Sequence, residues 1–137
     1  MSTFQFRFEP ARFPDALEDL RREVRAFLAG ERASGRFPRP NRVSMFVDHE
    51  FTRRMGERGW IGMTWPKRYG GHEKSALERY AVTEELLAAG APVRGHWVTD
   101  RQTGPVLLKF GTEAQKLEYL PRIARGEVFF KIGRAHV

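Results

Sequence analysis

RGWIGMTWPKRYGG, residues 58–71, decides how the rest of this chain is read. It carries Trp60 and Trp65, a Trp65–Pro66 step and the pair Gly70–Gly71. Proline fixes its own backbone and glycine tolerates the left-handed one, so the stretch is a sharp turn region. Two large aromatics on such a turn are expected to build a surface on which another segment docks. Immediately after it, Ser75-Ala76-Leu77-Glu78 has the spacing of a capping box, in which the serine hydroxyl accepts an amide hydrogen bond while Glu78 reaches back. The helix it opens is predicted to run to about Ala89, where Gly90 and Pro92 stop it.

Working upstream, Leu17, Leu20, Val24, Phe27 and Leu28 recur every three to four residues. They predict a helix from Pro14 or Asp15 to Ala29, ended by Gly30. Phe4, Phe6 and Phe8 alternate with polar residues, so residues 1–13 form an extended N-terminal segment. Residues 30–44, with Gly30, Gly35, Pro38 and Pro40 among charges, form a loop. Asp48 is placed to cap a helix from His49 to Arg58, with Phe51 and Met55 inward and Gly56 and Gly59 loosening its end.

Downstream, a helical stretch covers Gly95 to Phe110. Pro105 inside it demands either a kink or two short helices with Pro105 in a first turn. Gly111 breaks it, and Thr112-x-x-Gln115 is a second capping box. That helix runs to about Ala124, with Leu117, Leu120 and Ile123 inward and Pro121 distorting its last turn. Val128 to Ile132 predicts the start of a strand. The fold class is therefore all-α: an up-and-down bundle of four to five helices, with the start of a β-strand near the C-terminus.

With 137 residues the chain suits one domain, burying about two-thirds of its unfolded surface. Hydrophobic residues at 41% and charged residues at 30% exclude a disordered chain. No apolar run approaches the roughly 20 residues of a membrane span. The first residues, MSTFQFRFEPARFPDALEDL, lack the pattern of a secretory signal, and a cytoplasmic location is expected. The absence of cysteine excludes disulfides, thiolate metal sites and cysteine nucleophiles. A net charge of +7, from 24 basic and 17 acidic residues, would attract phosphate, nucleic acid or an acyl-CoA. The basic residues are spread along the chain, which favours a solvated arginine-rich surface over a nucleic-acid site.

His49, His72, His96 and His136 show no i, i+4 pairing, so no metal site is expected. No phosphate-binding glycine motif occurs, and Gly70–Gly71 alone reads as a plain turn. Glu84 and Glu85 are adjacent. Glu84, seven residues after Leu77, is expected to share its face and be partly buried, as a structural carboxylate paired with arginine or as an acid/base group. The segment His96, Trp97, Val98, Thr99, Asp100, Arg101, Gln102 is denser. By helical spacing Trp97, Arg101 and Pro105 share one face, and His96 and Asp100 a neighbouring one. Such a helix lines a pocket, with Trp97 as an apolar wall, or lies buried with one internal Asp–Arg pair.

Three segments, taken in order, resemble the N-terminal helical domain of the acyl-CoA dehydrogenase family: GERGWIGMTWPKRYGG (56–71), SALERYAVTEELLAAG (75–90) and GPVLLKFGTEAQKLEYLPRIARGE (104–127). The resemblance covers about residues 14–130, and places the N-terminal α domain at 14–127 with residues 128–137 as the start of a middle β domain. It implies a full-length parent that binds FAD and oxidises an acyl-CoA thioester to its 2,3-enoyl form. Such a parent would have an electron-transfer partner, form a homo-oligomer and carry its base and most FAD contacts in later domains. Of this chain's residues, the resemblance assigns only His96, Trp97, Asp100, Arg101 and Gln102 to substrate binding. No catalytic, cofactor-binding or metal residue is assigned, and the fragment itself is expected to be inactive, with an exposed apolar face.

The departure from the family pattern comes after Phe130. Lys131 to Val137 (KIGRAHV) back-translates as AAG ATC GGA AGA GCA CAC GTC, which contains the common sequencing-adapter string AGATCGGAAGAGCACACGTC. Residues 131–137 are thus expected to be adapter-derived. From a different function class, a basic all-α binding module for protein or nucleic acid remains the alternative, which steep salt-dependent retention on nucleic acid would reveal.

Overall fold

A computed structural model describes residues 13–36 and 47–130. The expected extended segment at 1–12, the loop residues 37–46 and the tail 131–137 lie outside the described residues. Among the described residues the chain is all-α. Six helices occur, two of them joined end to end through a π-turn, which makes five helical rods.

Helix α1 (Asp15–Ala33) buries Leu17, Val24, Phe27 and Leu28. It runs a turn past Gly30, the expected stop. The reason is tertiary: Glu31 is buried and pairs with Arg54 of the next helix at 2.6 Å, so the last turn is held in place. The left-handed residue is Gly35, whose φ is 71°. Its N–H bonds Arg32 O while the N–H of Arg36 reaches back to Glu31 O, closing the helix end.

Helix α2 (His49–Glu57) starts as expected, with the Asp48 carboxylate accepting the Phe51 N–H at 2.8 Å. Phe51 and Met55 are buried. The turn after it corrects the docking-surface expectation, because Trp60 and Trp65 are only 6% and 3% exposed. Each indole carries some 150–250 Å² of largely apolar surface, so the chain wraps around both. Trp60 stands edge-on to Phe27 with ring centroids 5.3 Å apart. Around Trp65 the backbone folds on itself through Glu73 N–H to Trp65 O and Lys74 N–H to Met63 O. A 3-10 turn, Lys67–Tyr69, completes the loop.

Helix α3 (Ala76–Ala88) opens with the full capping box, Ser75 and Glu78 exchanging hydrogen bonds of 3.1 and 2.7 Å. It packs on α1 through Ala81, Val82, Glu85 and Leu86. Helix α4 (Arg94–Val98), the π-turn (Thr99–Thr103) and helix α5 (Gly104–Phe110) form one continuous helical path. Pro105 sits in the first turn of α5, which is the two-helix outcome of the sequence reading. A proline ring crowds the carbonyl four residues back and offers it no N–H; the wider π-turn falls where that conflict lies.

Helix α6 (Glu113–Ala124) carries the second complete capping box, between Thr112 and Gln115, and keeps Pro121 within its last turn. Leu120 and Ile123 are buried as expected, but Leu117 is 55% exposed. The face it occupies lies beyond the edge of the core. Val106 and Phe110 of α5 are exposed beside it in sequence, Phe110 at 73%. The predicted strand start is not seen: 128–130 are unpaired, and 131–132 are outside the described residues. A strand needs a ladder partner, and no described segment supplies one. Val128 and Phe130 instead pack against the core.

Candidate functional site

The segment singled out from sequence straddles α4 and the π-turn. Four of its five candidates lie together and one does not. His96 and Asp100 are buried, Trp97 and Arg101 half-buried, while Gln102 is exposed. Asp100 lies one turn beyond His96 and is buried with it, whereas Gln102 falls on the opposite side of the path and is exposed.

Asp100 Oδ1 accepts the backbone N–H of Gly62 at 2.8 Å, tying the π-turn to the tryptophan turn. Its other oxygen faces Arg101 Nε at 3.3 Å. Burial raises the Asp100 carboxyl above its ordinary value, against the Gly62 and Arg101 contacts that lower it. The Arg101 guanidinium stacks 4.8 Å over the Trp97 ring and donates to Thr83 Oγ1. Thr83 in turn donates to Arg79 O at 2.6 Å. His96 Nδ1 lies 3.4 Å from Thr52 Oγ1. Burial pushes the imidazole down to about 4, with Arg101 adding to the effect, so it is neutral at physiological pH. The cleft among these groups is closed by Trp60, Val82, Leu86 and Val93 and holds only about 10 Å³, a single water at most.

The adjacent glutamates are a separate constellation. The sequence expectation made Glu84 the partly buried one, sharing a face with Leu77. Leu77 is exposed, Glu84 half exposed, and Glu85 is the carboxylate that turns inward. Arg21 reaches both, Glu84 at 2.5 Å and Glu85 at 2.9 Å, and Arg25 reaches Glu85 at 2.6 Å. Arg25 foremost holds the Glu85 carboxyl below its usual range, against burial. This is the structural ion pairing that sequence allowed for. A carboxylate so held is a poor proton acceptor.

The other histidines are scattered. His49 meets the Phe129 ring edge-on at 4.3 Å, and His136 lies outside the described residues. His72 packs under Gly59, its imidazole lowered by burial and by Lys74. Among the described residues no three His, Asp or Glu converge on a metal position. No described helix is long and apolar enough to cross a membrane.

A family profile described as acyl-CoA dehydrogenase, N-terminal domain, matches residues 14–127, most of the chain. The chain belongs to the acyl-CoA dehydrogenase family. It is 37% identical over 121 residues to acyl-CoA dehydrogenase FadE26 of Mycobacterium tuberculosis, covering 85% of this chain and 30% of that protein. It is 34% identical over 110 residues to the mitochondrial isovaleryl-CoA dehydrogenase of Pongo abelii, covering 79% and 26%. A solved structure titled Tcur3481-Tcur3483 steroid ACAD superposes with a TM-score of 0.69 at 38% identity, covering 86% of this chain and 31% of that one. The ChsE4-ChsE5 complex from Mycobacterium tuberculosis gives 0.70 at 34%, covering 88% and 30%. The chain thus spans about 30% of the length of the relatives it matches.

As an acyl-CoA dehydrogenase domain, the chain comes from a family of flavin-using oxidoreductases, and the described residues can be tested against such a cofactor. Three of the glycines face the chain's own atoms and leave no room for a pyrophosphate: Gly71 and Gly104 press on Trp65, Gly70 on Pro121. Thr52, Arg79 and Thr83 complete the polar cluster and were missed from sequence. Thr83 and Arg79 sit i, i+4 on α3, a spacing that marks a shared face but not what that face meets.

Proposed function

We propose that this chain is the N-terminal helical domain of an FAD-dependent dehydrogenase that oxidises acyl-CoA to 2,3-enoyl-CoA. The observation that carries the reading is the family match from residue 14 to residue 127, and Phe110 and Leu117 within it are left exposed. In the parent, FAD held by polypeptide outside this chain would take the hydride, and the base would also lie there. This chain contributes one wall of the acyl pocket. His96, Asp100 and Arg101 stiffen the α4–α5 path, Trp97 presents the apolar surface, and Gln102, being exposed, is the residue placed to meet substrate. By itself the chain catalyses nothing.

A similar structure at 38% identity, described as a steroid ACAD, favours a bulky acyl group as the first substrate class to try. An assembly of several subunits and an electron-transfer partner belong to the same proposal. The test is to clone the source locus through its own stop codon and purify the product. A yellow protein that reduces an artificial electron acceptor with a steroid-side-chain or straight-chain acyl-CoA is expected. A product that neither holds flavin nor reduces the acceptor with any thioester refutes the reading.

A further inference from the structure

Helix α3 turns an apolar stripe outward. Leu77, Tyr80 and Leu87 are about half exposed, at 52%, 48% and 52%. Their spacing puts them on one face with Glu84, whose carboxylate accepts the Tyr80 hydroxyl at 2.9 Å. Apolar surface grouped in this way marks a place where something packs. The chain itself makes the first contact there. Phe13, the first described residue, lies against the Tyr80 ring with centroids 6.0 Å apart, and the Arg21 guanidinium stacks on the Phe13 ring at 5.1 Å. Residues 1–12 therefore leave the described body at this stripe.

We propose that the stripe is the seat of the chain's own N-terminal segment, with Phe4, Phe6 and Phe8 laid over Leu77, Tyr80 and Leu87. Those phenylalanines lie outside the described residues, and their alternation in the sequence carries the match. In an extended chain every second side chain shares a face, so the three rings line one side and Gln5 and Arg7 the other. Phe4 to Phe8 then span about 13 Å, and Leu77 to Leu87 span about 15 Å of helix. The stretch from Phe8 to Phe13 reaches about 17 Å when extended, enough to bring Phe8 to either end of the stripe from the Tyr80 contact. Charge agrees with the match: Arg7 and Arg12 outnumber Glu9 in the segment, while the half-exposed Glu84 lies within the stripe. Anchoring at Phe13 also favours this occupant over a second copy, because a short leash gives an effective concentration on the order of millimolar. The inference uses neither the redox chemistry proposed above nor any later polypeptide, so the two stand or fall separately.

The chain has no cysteine, so Thr3→Cys gives a single site for a nitroxide spin label beside Phe4. In the full chain the label should broaden the NMR methyl signals of Leu77 and Leu87 far more than those of Leu117 on α6. Replacing Phe4, Phe6 and Phe8 together by serine should restore the sharp signals. Leu77→Ser combined with Leu87→Ser changes only exposed positions of α3 and should likewise sharpen the Tyr80 ring signals, with the segment intact. Helix content by circular dichroism should be the same in all these chains. A mixture of spin-labelled chain without isotope and isotope-labelled chain without spin label should show no broadening. Broadening of the stripe in that mixture assigns it to a second copy and overturns the proposal. Sharp Leu77 and Leu87 signals in the spin-labelled chain, or broadening that survives the serine replacements, overturn it as well.

Discussion

Gly104→Ala tests the packing around the α4–α5 junction, because two general effects there oppose one another. In an ordinary helix the change stabilises, since alanine is favoured over glycine by about 1 kcal/mol. Here a Cβ on Gly104 would lie 2.0 Å from Trp65 Cζ2 and 2.4 Å from Cη2. Carbon contacts settle near 3.5–4.0 Å, so the indole must retreat by roughly 1.5 Å. It has nowhere to go. Trp65 is 3% exposed, Gly62 presses on the indole so closely that its own added Cβ would stand 2.8 Å from Cε3, and Gly71 packs against the Trp65 Cβ and backbone. Overpacking of this kind costs about 3 kcal/mol, the top of the usual range. Subtracting the propensity gain leaves a net loss of about 2 kcal/mol, which lowers the melting temperature by about 7 °C for a domain of this size. Gly30→Ala is the matched control: Gly30 lies inside α1 with nothing within 4 Å of an added Cβ, so only the propensity term acts. It should raise the melting temperature by about 3 °C. Thermal denaturation followed by circular dichroism reads both. If Gly104→Ala melts at or above the wild type while Gly30→Ala behaves as stated, the Trp65 packing argument is wrong.

Glu85→Gln leaves Arg21, with only 8% of its side chain exposed, to Glu84 and a longer 3.8 Å contact with Glu18, and urea unfolding should show a loss of about 3 kcal/mol. Because the folded Glu85 carboxyl is depressed, its contribution is present above the ordinary carboxylate range and is lost as pH falls through the folded value; the variant should lack that part of the acid sensitivity. His96 has its folded value lowered from 6.5 to about 4, so the unfolded chain takes up a proton first and stability falls as pH drops between those values. The slope from this group is at most about 1.4 kcal/mol per pH unit. Asp100, raised by burial, opposes it, so the comparison of His96→Gln with wild type isolates the histidine; an identical pH profile in both would refute the assignment. Replacing Phe110 and Leu117 by serine should leave the melting temperature within a few degrees while reducing self-association in sedimentation and apolar-dye binding.

Local chemistry alone settled the helix starts. Both capping boxes and the Asp48 cap need only a side-chain oxygen within three residues of an amide, and all three formed where the sequence placed them. Pro105 likewise announced a break, as a kink or as two short helices, since its missing N–H is a property of the residue itself; the structure takes the second form. What the helices face was beyond local reach. From sequence the tryptophan turn reads as a docking surface, and packing against Phe27 and Gly104 makes it core instead. Helical periodicity fixes which residues share a face but not where that face meets a neighbour, so Glu84 and Leu117 fell outside while Glu85 fell in. In the candidate site, His96, Trp97, Asp100 and Arg101 stood out by residue type, and their i, i+4 pairing held: Arg101 stacks on Trp97, and His96 and Asp100 are both buried. Thr52, Thr83 and Arg79 joined them from sequence-distant helices, across distances that periodicity does not measure.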